Sequence, residues 1–197
     1  GVRIKTSFEL VGRCASMVTI SGAKATVYPF DAVIRVNGDI HAALRDITVS
    51  GPGVGVLSYG GASVEVVRMA LLENHTLGLI ASGSGTSVDA QLLLVARTEL
   101  SGAGAAGYGV ESNDGGALTL RRSVLLENYG VGLRATDVGT VLNAEDLLIA
   151  RTQIAIDGGY GYGLYAGQGA ELALTQAVLD ENHMVGLLVS GEGTAVT

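Results

Sequence analysis

The chain has 197 residues, a size typical of one domain, and 48 % of them are hydrophobic, which is ample for a core. Its formal net charge of −7, from 12 basic and 19 acidic residues, disfavours a nucleic-acid backbone or an anionic membrane as a partner. The sequence contains no run of 18 apolar residues that would indicate a transmembrane helix, and its single cysteine cannot form an internal disulfide.

Residues 1–31 have the least regular pattern in the chain. The first six residues lack the basic region and the apolar stretch of a secretory signal. We expect residues 1–31 to form an N-terminal cap of one or two opening turns, with a strand around residues 7–11.

The sequence from position 32 to position 197 is an internal repeat, and from position 55 onward a glycine opens each segment. The opening glycines are Gly55, Gly78, Gly109, Gly132, Gly163 and Gly186, so that a short and a long segment alternate. A short segment has about 23 residues and a long one about 31, which together make a period of about 54 residues. Because the glycines recur at fixed places and the chain has only 2 prolines, they indicate the turns of a repeat architecture and not a disordered linker.

Each segment predicts three short strands. After the opening glycine, an aliphatic, a variable and a small residue alternate as in a strand with one buried face; Gly109-Val110-Glu111-Ser112 is an example. A glycine-containing turn, a second strand and a third apolar run follow. The middle residue of the third run is always leucine, so we expect these leucines to point inward. They are Leu71, Leu94, Leu125, Leu148 and Leu179.

This pattern predicts an all-β fold, a parallel β-helix of about eight coils in which each coil stacks about 4.8 Å above the previous one. A leucine-rich repeat, whose period covers the length of the short segment, is the alternative. It fits less well because Asn74, Asn128 and Asn182 occur only in alternate coils and glycines interrupt any helical run. Residue 197 lies within a predicted strand, so we expect the β-helix to continue beyond it or to be uncapped and self-associate end to end.

The repeat Gly-aliphatic-x-small-x-x-x-Gly, followed by two short strands and Glu-Asn, resembles the repeats of right-handed parallel β-helix proteins, the pectin-lyase-like superfamily. The resemblance spans residues 32–197 and implies a single right-handed solenoid. That superfamily includes polysaccharide lyases, hydrolases, phage tail proteins, adhesins and many secreted bacterial proteins, so it implies a secreted or cell-surface location without fixing a reaction. The chain lacks the paired-aspartate and Gly-His-Gly motifs of the related glycosidases.

Four tyrosines form the first candidate site. The long coils carry eight extra residues at one corner, within residues 98–108 and 152–162, and we expect these loops to protrude on the same side. Tyr108, Tyr160 and Tyr162 cluster there, with Tyr165 on the adjoining strand. Aromatic faces beside polar groups suit sugar rings, which makes a polysaccharide the candidate ligand. The alternative is that Tyr108 and Tyr162 simply pack the loops onto the coil.

Two aspartates and an ion pair form the second candidate site. Asp114 and Asp137 occupy the same turn position in adjacent coils, and Glu111 and Arg134 share the outward strand position beside them. Such a group could act as general acid and base on a sugar polymer, or the aspartates could hold Ca²⁺. The alternative is two ordinary turn residues and an exposed cross-strand pair.

The sequence favours a non-catalytic β-helix domain of a secreted or surface bacterial protein, a rigid stack with glycans as candidate ligands. A polysaccharide lyase or hydrolase that uses Asp114, Asp137, Arg134 and Glu111 is one alternative, and a protein that assembles end to end is another. No resident cofactor is expected, because no histidine or cysteine set has metal-ligand spacing. The alternating series of Glu73, Arg97, Glu127, Arg151 and Glu181 predicts a structural charge ladder at one corner.

Overall fold

The computed structural model describes residues 1–22, 31–100, 107–155 and 159–197, and the regular structure of these residues is entirely β. In chain order the strands are β1 (Val2–Ile4), β2 (Phe8–Val11), β3 (Thr19–Ser21), β4 (Ala32–Asn37), β5 (His41–Arg45), β6 (Thr48–Gly51), β7 (Val54–Tyr59), β8 (Ser63–Val67), β9 (Ala70–Asn74), β10 (Leu77–Ser82), β11 (Ser87–Gln91), β12 (Leu94–Ala96), β13 (Tyr108–Asn113), β14 (Ala117–Leu126), β15 (Val131–Thr136), β16 (Val141–Ala150), β17 (Tyr162–Gly167), β18 (Glu171–Asp180), β19 (Val185–Ser190) and β20 (Ala195–Val196). Residues 23–30 of the predicted cap, and residues 101–106 and 156–158 of the two predicted protruding loops, lie outside the described ranges. In the described residues no helix is long and apolar enough to cross a membrane.

The first strand of each coil belongs to one parallel sheet of eight strands, in the order β1-β4-β7-β10-β13-β15-β17-β19. The predicted spacing is confirmed by its register. Leu79 pairs with Val56 of the preceding coil and with Val110 of the following coil, each of which directly follows an opening glycine. An added Cβ on Gly109 would lie 2.5 Å from the carbonyl oxygen of Gly132 in the next coil, so the close approach of the coils requires glycine here.

The second and third strands of each coil form one parallel sheet of 12 strands that curls back on itself. Strand β14 pairs with β11 through residues 117–121 and with β12 through residues 124–126. Between these stretches Arg122 has a left-handed backbone, with φ of 49°, as do Asp146 in β16 and Gln176 in β18. The bend at these residues lets one long strand cover two sides of the molecule. This arrangement is compatible with a solenoid and does not match a leucine-rich repeat, whose far side carries helices.

Aliphatic side chains from both sheets meet in one continuous core. The residue after each opening glycine is fully buried in the interior coils, and it faces the third strands of the curled sheet. On the last strand, β19, the equivalent Leu187 and the nearby Val189 are 38 % and 43 % exposed, because β19 is paired on one side only. At the N-terminal end of the stack, strands β1, β2 and β3 pair in parallel with β4, β5 and β6 respectively.

The prediction that the middle leucine of the third strand points inward is correct in the short coils and wrong in the long coils. Leu71 and Leu125 are fully buried, but Val95 and Ile149 take the inward position instead of Leu94 and Leu148. The reason lies in the first turn, which is one residue longer in the long coils. Because of that extra residue, the inward position of the third strand falls one residue later in the long coil. Val95, and not Leu94, therefore pairs with Leu71 of the short coil.

Threonine side chains hold the first turns of successive coils together. The hydroxyl oxygens of Thr86, Thr140 and Thr194 accept hydrogen bonds from backbone N–H groups of Gly61, Gly115 and Gly169, at 3.0–3.1 Å. Each of these threonines lies in the longer first turn, and each donor is a glycine of the preceding coil. The threonine of each longer turn therefore satisfies a backbone donor in the shorter turn of the preceding coil.

The buried asparagine at the corner has the same function on the other side of the coil. The side-chain oxygen of Asn128 accepts a hydrogen bond from the Thr98 N–H at 3.0 Å, and its amide donates to the Val95 carbonyl at 3.2 Å. Asn182 bonds Thr152 and Ile149 in the same way. The expected charge ladder is also present beside it, with Arg97 and Glu73 at 3.0 Å and Arg151 and Glu127 at 3.2 Å.

We expect Asn128→Ala to lower the free energy of unfolding by about 2 kcal/mol, because it leaves the buried N–H of Thr98 without an acceptor and removes a second hydrogen bond to the Val95 carbonyl. Urea unfolding followed by circular dichroism measures the change. Asn143→Ala, which removes the same group from an exposed site, is the matched control and should change stability by less than about 0.5 kcal/mol. Equal effects of the two substitutions would show that Asn128 does not stabilise the turn.

Candidate functional site

The outward face of the eight-stranded sheet brings both predicted sites together. Glu111 of β13 pairs with Arg134 of β15, and Arg134 pairs with Tyr165 of β17, so these side chains lie in one column across three strands. Tyr108 and Tyr162 begin β13 and β17 on the same face. The tyrosines and the ion pair are therefore a single cluster, although the sequence suggested two separate groups. We call these residues, together with Tyr160, the tyrosine–arginine cluster.

The rings of the tyrosine–arginine cluster contact each other in series. Tyr160 meets Tyr108 edge to face at a centroid distance of 6.3 Å and Tyr162 at 5.8 Å. Tyr162 in turn stacks with Tyr165 at 6.5 Å. Tyr160 is the outermost ring, 44 % exposed, and the other three are half-buried. The tyrosines thus pack on one another and still present one ring to solvent.

Arg134 lies at the centre of the cluster. Its guanidinium carbon is 5.4 Å from the centre of the Tyr108 ring and 5.8 Å from that of Tyr165, which are cation–π distances. One of its nitrogens donates to the carboxylate of Glu111 in an ion pair. Only a quarter of the Arg134 side chain is exposed. The arginine therefore has a carboxylate and two aromatic rings as partners.

Burial is the largest influence on the pKa values of Glu111 and Tyr108. Only 5 % of Glu111 is exposed, and this loss of solvation raises the pKa of its carboxyl group above the ordinary value. The positive charge and the hydrogen bond of Arg134 oppose the rise, and the charge of Asp137 adds to it. Burial likewise raises the pKa of Tyr108 to about 12, so its phenol stays protonated at neutral pH.

Asp114 and Asp137 lie beside the cluster in adjacent turns, as expected, and both have a left-handed backbone. The Asp137 carboxylate accepts hydrogen bonds from the Asp114 N–H at 3.4 Å and from the Thr136 hydroxyl at 3.0 Å. The Asp114 carboxylate accepts one from the Ser82 hydroxyl at 3.4 Å. These are contacts of turn residues. Across the described ranges no group of three histidine, cysteine or acidic side chains is arranged to hold a metal ion.

A groove on the curled sheet was not anticipated from the sequence. It has a volume of about 330 Å³ and crosses the outer faces of β14, β16 and β18. Arg121 and Glu145 line it, and Arg121 also forms an ion pair with Asp89 at 2.6 Å. The outward positions of the second strands were readable in the sequence, but the concavity comes from the left-handed bend in each long strand. Ser190, whose hydroxyl lies 2.8 Å from that of Tyr165, was also missed.

Comparison with known proteins gives no further assignment: no family model, no curated protein and no solved structure matches this chain. Any function must therefore be argued from the chemistry of the tyrosine–arginine cluster and its surroundings.

We expect Arg134→Gln to raise the pKa of Glu111 further, because the substitution removes the charge and the hydrogen bond that hold it down while the carboxyl group stays buried. Carbon-detected NMR titration of the Glu111 carboxyl group measures this shift. Arg151→Gln, which breaks an equivalent pair with Glu127 at the corner, is the control and should not move the Glu111 midpoint. A fall in the Glu111 pKa in Arg134→Gln would contradict the assigned cause.

Proposed function

We propose that this chain is a right-handed parallel β-helix domain of a secreted or cell-surface bacterial protein, and that it binds glycans through the tyrosine–arginine cluster without cleaving them. The right hand is supported by the general rule for parallel strands of one sheet that are joined by a crossover, here through the curled sheet. The location outside the cell rests on the resemblance of the repeat to secreted β-helix proteins.

The exposed ring of Tyr160, held between Tyr108 and Tyr162, is the observation that carries the proposal. A ring fixed by neighbours presents apolar area at little cost in conformational entropy, and the apolar face of a sugar ring packs against such a surface. The hydroxyls of Tyr165 and Ser190, and the carboxylates of Asp114 and Asp137 in the turns that follow β13 and β15, are candidate partners for sugar hydroxyls. The strands beneath, β13, β15 and β17, are each paired on both sides, which favours a preorganised site.

We expect Tyr160→Ala to weaken binding to a glycan that the wild type binds by about three- to tenfold, because it removes the exposed stacking surface. Isothermal titration calorimetry with oligosaccharides identified on a glycan array measures the loss. Tyr160→Phe keeps the ring and should retain most of the affinity. Met17→Ala, which removes an exposed apolar side chain from the first coil, controls for nonspecific adhesion. An unchanged affinity in Tyr160→Ala would rule out this ring as the binding surface.

A polysaccharide lyase or hydrolase is the second candidate, and burial shifts the pKa of Glu111 upward, the direction that a general acid needs. Against this role, Glu111 is almost fully buried and its carboxylate is bound by Arg134, so a substrate would reach it only after the ion pair opened. The turn hydrogen bonds of Asp114 and Asp137 also fit a structural function.

Under the binding proposal we expect no release of reducing ends or unsaturated sugars from any polymer that the protein binds. Reducing-sugar and ultraviolet absorbance assays with the wild type test this expectation. If product appears and Asp137→Asn abolishes it while circular dichroism shows an intact fold, then the enzyme candidate replaces the binding domain.

A further inference from the structure

The charged groups of the tyrosine–arginine cluster and of the turns that follow its strands bear on which sugars the site can accept. The cluster and its adjoining turns contain one cation, Arg134, and three carboxylates, which belong to Glu111, Asp114 and Asp137. Asp114 is exposed and Asp137 is half-exposed, whereas the cation is mostly covered. The net formal charge of these four groups is negative, and the charge of the whole chain has the same sign.

The positive charge of Arg134 is already neutralised inside the protein. The guanidinium donates to the buried carboxylate of Glu111 and lies at cation–π distance from the rings of Tyr108 and Tyr165. A sugar carboxylate that approached would compete with a buried ion for the same donor, and the two aspartates would repel it. Like charges about 4 Å apart repel by about 1 kcal/mol in water and by more where solvent is partly excluded.

We propose that the tyrosine–arginine cluster selects neutral sugar polymers and rejects uronic acid polymers, and that Glu111 determines this selectivity by neutralising Arg134. The inference rests on the proposed glycan binding and specifies its ligand class. Glu111 acts through Arg134 and is a positioning residue that does not itself contact the ligand. Without Glu111 the same guanidinium, still held by two rings, presents an unbalanced positive charge beside a sugar-binding surface.

The experiment compares pairs of polymers that differ in one group. Each neutral glucan, galactan or mannan is paired with its derivative oxidised at C6, in which the hydroxymethyl group has become a carboxylate. Affinities are measured by calorimetry at two ionic strengths. We expect the wild type to prefer the neutral member of the pair it binds by about tenfold or more.

Glu111→Gln should reduce that preference by about tenfold, through tighter binding of the oxidised polymer, and this gain should shrink at high salt because it is electrostatic. Glu127→Gln is the matched control, since it removes the carboxylate of another arginine pair and changes the net charge equally, but lies at the corner away from the cluster. It should leave the preference unchanged. If Glu111 had only a structural role, Glu111→Gln would weaken the binding of both polymers of a pair to the same extent.

Two outcomes overturn the inference directly. A wild type that prefers the oxidised polymer contradicts the neutral selectivity, and a Glu111→Gln variant that behaves like Glu127→Gln contradicts the role of Glu111. If Glu111→Gln fails to fold, Asp137→Asn removes a carboxylate without disturbing the buried pair and must shift the preference in the same direction. If no polymer of any pair binds the wild type, the proposed function itself is wrong, which distinguishes its failure from failure of the inference alone.

Discussion

Parallel backbone pairing between equivalent positions of successive coils is the constraint on which the rest of this structure depends. A single coil of three short strands cannot bury its own apolar side, and burial becomes possible only when the next coil lies on it in register. A fully buried leucine or valine contributes about 1.5–3 kcal/mol, and each interior coil places several such side chains inward. The exposed ion pairs at the corner contribute about 0–1 kcal/mol each, so they relieve repulsion along the stack and do not drive its formation.

Three recurring residues of the repeat help to maintain this register between coils. The opening glycine allows close approach of the coils, the turn threonine satisfies the N–H of a glycine in the preceding coil, and the corner asparagine bonds a backbone donor and a backbone acceptor. Threonine and asparagine occur in alternate coils, so two successive coils complete the set. This alternation explains why the true repeat is a short coil together with a long one and why a single coil is not its unit.

The sequence predicted the strands and their register because glycines and aliphatic residues mark equivalent heights directly, and for the same reason the contact of Glu111 with Arg134 was readable from the spacing. The prediction failed where an insertion had to be placed. One extra residue of the long coils lies in the first turn, so that Leu94 and Leu148 do not take the inward position predicted for them. Alternation of period 2 does not reveal where such a shift occurs. The approach of Tyr160 to Tyr108 depends on a loop path, which a repeat period does not specify.

Comparison of the repeats within the chain separates what the fold requires from what it merely permits. The inward aliphatic residues and the opening glycines recur in each repeat, whereas the outward column changes from Leu57 and Ile80 to Glu111 and Arg134 and then to Tyr165. Leu57 and Ile80 form a small apolar cluster of their own, so the same positions fold well without charge. Burying an ion pair carries a desolvation cost that apolar side chains avoid. Since the architecture itself supplies a less costly solution two coils away, the fold does not require an ion pair at the positions of Glu111 and Arg134, and the proposed ligand site gives a reason for its presence.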